Sequence, residues 1–129
     1  GPIVPFLKML QKYPEYEQEV KVPEKVWPLR IWYMYDQDVC TLIDVNERER
    51  KVKIKNYTDK IMFRAFGVME EPDYNQYIEF LESRCFPESR DKMKLILKDL
   101  GLPFYDPIMI IEKTEGRMAE DDFWIRIER

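Results

Sequence analysis

The second half of the chain decides the fold. Residues 70–101 read EEPDYNQYIEFLESRCFPESRDKMKLILKDLG, and residues 116–125 read GRMAEDDFWI. In the first stretch apolar residues recur at spacings of three and four, which is typical of a helix with one buried face. They are Tyr74, Tyr77, Ile78, Leu81 and Cys85 before Pro87, and Met93, Ile96, Leu97 and Leu100 after it. The pattern predicts two amphipathic helices joined by a short basic corner at residues 84–90.

Residues that favour helix ends bound these segments. Pro72 suits a first helical position, and Asp73 would place negative charge in the first turn, where it favours the helix dipole. Gly101 suits the residue just after the second helix. Asp106 followed by Pro107 predicts the N-cap and first residue of a third, short helix, which we expect to run to about residue 115.

The first half of the chain predicts strands. Residues 29–35 (LRIWYMY), 39–45 (VCTLIDV) and 51–57 (KVKIKNY) are rich in β-branched and aromatic residues and are separated by short polar loops. They predict an antiparallel meander. Residues 123–128 (FWIRIE) alternate between apolar and polar, and we expect this last strand to join the meander, since an isolated strand would leave its backbone groups unpaired. Residues 61–68 fit either a fourth strand or a short helix.

These elements predict an α+β fold, in which a small antiparallel sheet, the meander plus the C-terminal strand, packs against two or three helices. We expect residues 29–129 to form a single α+β domain. Residues 1–28 would hold a short helix over residues 3–13 and a proline-interrupted extension. The apolar residues that predict this helix are Val4, Phe6, Leu7, Met9 and Leu10. The leading Gly-Pro is typical of protease cleavage, and the sequence does not say whether native residues precede Ile3.

The amino-acid composition narrows the classes of function that the chain can have. The 129 residues include 21 basic and 25 acidic side chains, and a net charge of -4 argues against a whole-domain electrostatic grip on nucleic acid. Histidine, the commonest proton-transfer residue and metal ligand, is absent, and no cofactor or metal is predicted. Cys40 and Cys85 match no zinc or redox spacing and are expected to be reduced thiols of a cytoplasmic protein. The longest apolar runs, about four residues, predict no membrane span.

Two motifs in the second half resemble a segment of the HipA-like serine/threonine kinases that precedes the catalytic lobes in some members. The family pattern has a helix ending in R-x-I-P-x-S-R, a second helix, and then G-L-S-L-S-D-x-Y-W-I. The corresponding residues are Arg84, Phe86, Pro87, Ser89 and Arg90, followed by Gly116, Asp121, Phe123, Trp124 and Ile125. Order and spacing agree over residues 73–125, although Phe86 replaces an aliphatic residue and RMAE replaces LSLS.

The kinase lobes themselves are absent. The chain has four glycines with no clustered phosphate loop, and it has no H-R-D or D-F-G triplet. The resemblance therefore implies an accessory module without the kinase, acting as a partner of a HipA-like kinase or within a mobile-element system.

The basic corner is the first candidate site. Arg84, Ser89 and Arg90 flank a proline-broken turn next to a helix start, where a phosphate, a carboxylate or a protein partner would find backbone N–H groups and guanidiniums. The alternative is structural: the two arginines would pair with acidic neighbours and join the corner to the last strand. Those neighbours are Glu88, Asp121 and Asp122.

A lysine face is the second candidate. Lys51, Lys53 and Lys55 point the same way along one strand, and Tyr57 nearby suggests stacking with single-stranded nucleic acid. The alternative is a solvated strand face that protects an edge from aggregation.

Aromatic and acidic clusters complete the candidates. Trp32, Tyr33 and Tyr35 suggest an interaction surface, because Trp and Tyr are enriched at binding hot spots, while core packing of both strand faces is the alternative. The acidic residues at positions 106 and 120–122 suggest a metal or paired-carboxylate site, against a turn or cap role for Asp121. We expect a non-catalytic protein-interaction or regulatory module. Nucleic-acid binding through the lysine face and an enzyme using Asp, Glu and Tyr groups are the alternatives.

Overall fold

The computed structural model describes residues 22–129. The strands are β1 (Leu29–Tyr35), β2 (Asp38–Asn46), β3 (Lys51–Asn56) and β4 (Phe123–Glu128), and the helices are α1 (Tyr74–Ser83), α2 (Met93–Leu100) and α3 (Pro107–Thr114). The strands form one antiparallel sheet in the order β3-β2-β1-β4. The predicted α+β fold, with the last strand joined to a meander, is confirmed. The helix predicted over residues 3–13 lies outside the described residues.

The pairing of β4 makes β1 a central strand of the sheet. β4 pairs with β1 along its whole length, for example Tyr33 with Ile125, so β1 lies between β2 and β4 in the middle of the sheet. All of its residues but Tyr35 are buried. A strand with a neighbour on both sides has no exposed backbone edge.

The two faces of the sheet differ in what covers them. The inner face packs on the helices, with Ile31 and Tyr33 of β1 in one cluster with Tyr77 of α1 and Ile110 of α3. The outer face carries a second, smaller cluster, which we call the outer cluster. It consists of Trp32, Met34, Val39 and Leu42.

Helix α1 begins at Tyr74, two residues later than the sequence indicated. Asp73 is the N-cap rather than a first-turn residue, and Pro72 precedes the cap. The Asp73 carboxylate accepts from the Gln76 N–H at 2.8 Å, and the Gln76 side chain accepts from the Asp73 N–H at 2.7 Å. This capping box satisfies two N–H groups at the helix start, which places the start after Asp73.

The buried face of α1 includes one residue that the predicted apolar stripe lacked. Tyr77, Phe80 and Leu81 are its buried residues, while Tyr74 and Ile78 are half-buried. Phe80 was not in the predicted stripe. Its ring lies 4.9 Å from that of Tyr33, edge to face, so the aromatic residues of β1 turn this position inward.

The ends of the other two helices agree with the sequence signals. Gly101 ends α2 in the left-handed conformation (φ 75°). Asp106 caps α3 by accepting from the Ile108 N–H at 3.1 Å, with Pro107 as the first helical residue. Glu115 then takes the left-handed conformation (φ 58°), which ends the helix.

Candidate functional site

Arg84 lies at the end of α1 and points into the protein, with 7% of its surface exposed. Its Nε donates to the Gly116 carbonyl at 3.0 Å. Its Nη1 and Nη2 donate to the two Asp121 oxygens at 2.9 and 3.0 Å, and Nη2 also donates to the Phe123 carbonyl at 2.9 Å. Every nitrogen of the guanidinium is therefore engaged, and the predicted pairing with Asp121 is confirmed.

The loop before β4 is shaped to receive this arginine. Gly116 has a φ of +62°, and a Cβ there would lie 3.4 Å from the Arg84 Cβ and 3.2 Å from the Ile125 Cδ1. Glycine is suited to both the left-handed backbone and the close approach. Asp121 also accepts from the Phe123 N–H at 3.0 Å, which is the turn role considered for it. The resembling motif residues Arg84, Gly116 and Asp121 thus meet in one structural contact.

The rest of the basic corner faces outward. Ser89 and Arg90 are exposed, and the Arg90 N–H closes a turn on the Pro87 carbonyl at 3.0 Å. Helix α2 begins at Met93, after Lys92 in the left-handed conformation. Ser89 and Arg90 remain available as contacts, whereas Arg84 serves the fold.

The Arg84 contact predicts a pH-dependent stability. The hydrogen bonds from Arg84 lower the pKa of Asp121, and the Phe123 N–H contributes in the same direction. A carboxylate with a lowered folded-state pKa stabilises the fold above its unfolded pKa of about 4, and the stabilisation is lost as the pH falls through the folded pKa. We expect Asp121→Asn to be less stable than wild type at pH 7 and the difference to shrink at acidic pH. Urea unfolding at several pH values measures it, and a constant difference down to about pH 3 would contradict the assignment.

The lysine face lies on an edge strand. Lys51, Lys53 and Lys55 are all exposed along β3, which is the first strand of the sheet. The Lys51 Nζ lies 3.5 Å from the Glu49 carboxylate, and the Lys55 Nζ lies 5.2 Å from the centre of the Tyr57 ring. This placement fits both roles considered for the lysines, which are protection of the sheet edge and contact with an anionic partner.

The aromatic strand is packed on both faces. Tyr33 stacks on Phe123 with ring centres 4.8 Å apart, on the inner face. Trp32 is buried on the outer face, where its Nε1 donates to the Glu128 carboxylate at 2.9 Å. Tyr35 is half-buried. Trp32 and Tyr33 therefore pack in the core, which is one of the two roles predicted for them.

A groove of about 620 Å³ contains the side chains closest to a catalytic set, including Glu79, Glu82, Cys85 and Tyr105. Burial raises the pKa of the Cys85 thiol to about 12, so this sulfur is a thiol and not a nucleophilic thiolate at neutral pH. The Tyr105 hydroxyl donates to the Phe86 carbonyl at 2.9 Å. Cys40 and Cys85 are both free, as predicted. Among residues 22–129 no cluster of three His, Cys, Asp or Glu side chains is arranged to hold a metal ion.

The segment after β3 forms a feature that the periodic patterns did not reveal. Residues 61–68 form no strand: a short 3-10 helix at Ile61–Phe63 leads into turns, so the short-helix alternative holds for the first three residues. Backbone hydrogen bonds run from Arg64 to Ile61, from Gly67 to Arg64 and from Met69 to Phe66. We call residues 61–69 the apolar loop.

Inward side chains hold the apolar loop on the domain. Phe63 packs edge to face on Tyr35 with ring centres 4.8 Å apart, and Phe66 lies 5.4 Å from Phe80. The Ala65 N–H donates to the Thr41 hydroxyl at 3.1 Å, and the Arg64 Nε donates to the Thr58 carbonyl at 2.8 Å. These contacts attach the loop to β1, β2 and α1.

The opposite side of the loop presents apolar groups to solvent. Met62 is 83% exposed and Val68 74% exposed, with Ile61 and Met69 exposed beside them. Gly67 lies against Ile61, since a Cβ at Gly67 would be 3.6 Å from the Ile61 Cγ2, so the two ends of the loop are close. The sequence signal was the run of apolar residues at 61–69 with no helical or strand period, but that run alone does not say which side chains point outward.

Comparison of the chain with protein-family models, with curated proteins and with solved structures gives no match. No helix in the described part of the chain is long and apolar enough to cross a membrane.

Proposed function

We propose that this chain is a non-catalytic interaction module of the cytoplasm and that its apolar loop is the surface that binds a protein partner. One observation supports this proposal. Phe63 and Phe66 pack on the domain, while the apolar side chains on the opposite side of the loop are exposed to solvent; these are Ile61, Met62, Val68 and Met69. A soluble surface seldom presents adjacent large apolar side chains on an ordered segment unless something binds there. Methionine in particular adapts its shape to a partner.

The chemistry of the loop defines the partner. The apolar side chains call for an apolar groove, and Glu70 and Glu71, exposed directly after the loop, favour a cationic rim on that groove. The resemblance of residues 73–125 makes a HipA-like kinase the first candidate, followed by proteins of a mobile-element system. Ser89 and Arg90 are a second, smaller contact in the same proposal.

Affinity capture with matched variants tests the proposal. We expect Met62→Glu combined with Val68→Glu to abolish capture of the partner from a native lysate, because both side chains would place charge in an apolar contact. Leu95→Glu is the control, since Leu95 is also exposed (57%) but lies on α2. Both variants should retain the wild-type melting temperature. Equal capture by wild type and the double variant would remove the apolar loop from the proposal.

The lysine face supplies the second candidate function, contact with nucleic acid, which its three exposed lysines along one strand favour. Nuclease treatment of the lysate separates the two candidates. Capture that disappears with nuclease and with Lys53→Glu combined with Lys55→Glu, yet survives the loop variant, would transfer the function to the lysine face. Nuclease-resistant capture that needs Met62 and Val68 supports the apolar loop.

A further inference from the structure

The edge of β4 that faces away from β1 is bound by its own chain at one end. The Ile125 N–H donates to the Glu115 carbonyl at 2.7 Å, outside the sheet. Backbone direction alternates along a strand, so Phe123, Ile125 and Ile127 all direct their N–H and carbonyl groups away from β1. Both of these groups of Phe123 are taken up by the loop and the arginine described above.

Beyond this point the same edge is open. Among residues 22–129 no hydrogen bond is made by the Ile125 carbonyl or by either backbone group of Ile127. Beside these groups lies a groove of about 440 Å³ between β4 and α3, lined on its helical side by Ile111, Glu112 and Glu115. A strand edge with free N–H and carbonyl groups is a template for one more strand.

The other edge of the sheet, β3, is protected against pairing with itself. The lysine face runs along it, so two such edges would bring like charges together. β4 lacks this protection, because its outer face carries one charge of each sign, Arg126 and Glu128. Both contact Trp32: the Glu128 carboxylate accepts from its Nε1, and the Arg126 guanidinium lies 5.0 Å from the centre of its ring.

These two charges select one register for a pair of β4 strands. Only residues with outward backbone groups can oppose each other, so an antiparallel pair that uses the open part of the edge is centred on Arg126, Ile127 or Glu128. The first centre opposes Arg126 to Arg126 of the other copy, and the last opposes Glu128 to Glu128. The centre at Ile127 instead places Arg126 of each copy opposite Glu128 of the other, which is the favourable cross-strand pairing.

We propose that two copies of this chain pair through β4 in the register centred on Ile127 and continue one sheet across a two-fold axis. Ile127 exchanges both of its backbone hydrogen bonds with Ile127 of the second copy, and the Arg129 N–H of each copy donates to the Ile125 carbonyl of the other. The Arg129 side chain then reaches the groove of the second copy, where Glu112 and Glu115 supply negative charge. A contact of this size gives a dimer in equilibrium with the monomer.

Sedimentation velocity and amide exchange of the full chain test the proposal. We expect the average mass to rise from monomer to dimer between about 1 μM and about 1 mM. The Ile127 N–H should exchange at least about tenfold more slowly in the dimer than in the monomer, whereas the Ile125 N–H, already bound to Glu115, should change far less. A chain that stays monomeric, or a dimer with an unchanged Ile127 rate, would overturn the proposal.

Paired charge variants test the register. Arg126→Glu opposes two carboxylates and Glu128→Arg opposes two guanidiniums, so each variant alone should weaken the dimer at least about tenfold. An equimolar mixture of the two variants restores opposite charges at both places and should dimerise as well as the wild type. Arg90→Glu is the matched control, since Arg90 is exposed in the basic corner and should leave dimerisation unchanged.

The mixture also separates this contact from the apolar loop. If the mixture associates no better than either variant alone, the β4 register is wrong. If Met62→Glu combined with Val68→Glu abolishes the dimer while the β4 variants retain it, the apolar loop forms the contact and the proposal fails. If a β4 variant loses its folded circular dichroism spectrum, the Ile127 exchange rates of the unmodified chain decide.

Discussion

Replacing Arg84 with alanine is expected to lower the free energy of unfolding by about 3–5 kcal/mol. The substitution removes hydrogen bonds to the Gly116 and Phe123 carbonyls and to both oxygens of Asp121. The two carbonyls would be left without their charged donor, and the loop before β4 would lose its attachment to α1. Urea unfolding followed by circular dichroism measures the loss.

Two further variants show whether the loss belongs to this contact. Arg90→Ala, in the same corner but exposed, should change stability by less than about 0.5 kcal/mol. Arg84→Lys keeps the charge but has no planar fork, so it should recover only part of the loss. If Arg84→Ala instead unfolds like wild type and reduces partner capture, the corner is a binding site as first considered and the structural role is wrong.

Replacing Asp44 with alanine is expected to cost a similar about 3–5 kcal/mol, because it strands a buried cation. The Arg30 side chain is 4% exposed and donates two hydrogen bonds to the Asp44 carboxylate, which also accepts from the Val26 N–H. The hydrogen bond to Asp44 raises the pKa of Arg30, so the guanidinium stays charged at every accessible pH. Thermal and urea unfolding measure the effect.

The double variant Arg30→Met with Asp44→Leu is the decisive comparison. It removes both charges together and should be far more stable than Asp44→Ala, near to wild type, since a buried ion pair is often replaceable by apolar residues. If the double variant is as unstable as Asp44→Ala, the loss comes from the Val26 contact and not from the stranded charge.

Local signals predicted most of the fold. The Asp106-Pro107 pair, the left-handed Gly101 and the alternation of Lys51 to Lys55 each act within a few residues, and the elements they mark agree with the structure. The start of α1 was predicted two residues too early, because a capping aspartate and a first-turn aspartate look alike until the Gln76 side chain is placed. Phe80 was missed because its inward direction depends on Tyr33 in another element.

The candidate site was harder to predict from the sequence than the fold. Arg84 and Arg90 belong to one motif, yet one is buried and the other exposed. Likewise the apolar residues at 61–69 show no helical or strand periodicity. Phe63 and Phe66 point inward because they pack on Tyr35 and Phe80, and this leaves the other apolar side chains facing outward. In neither segment does the local sequence indicate which residues are buried and which are exposed.

The sequence by itself determined the order of the four strands and three α-helices, the antiparallel meander and the lack of histidine, because composition, period and end-capping are properties of neighbouring residues. The tertiary structure alone decided the role of Arg84, whose partners lie 32, 37 and 39 residues further along the chain. It also decided that β1 is central and that the apolar loop faces outward. These outcomes depend on which distant surfaces come together as the chain buries its apolar area, and no local pattern records that choice.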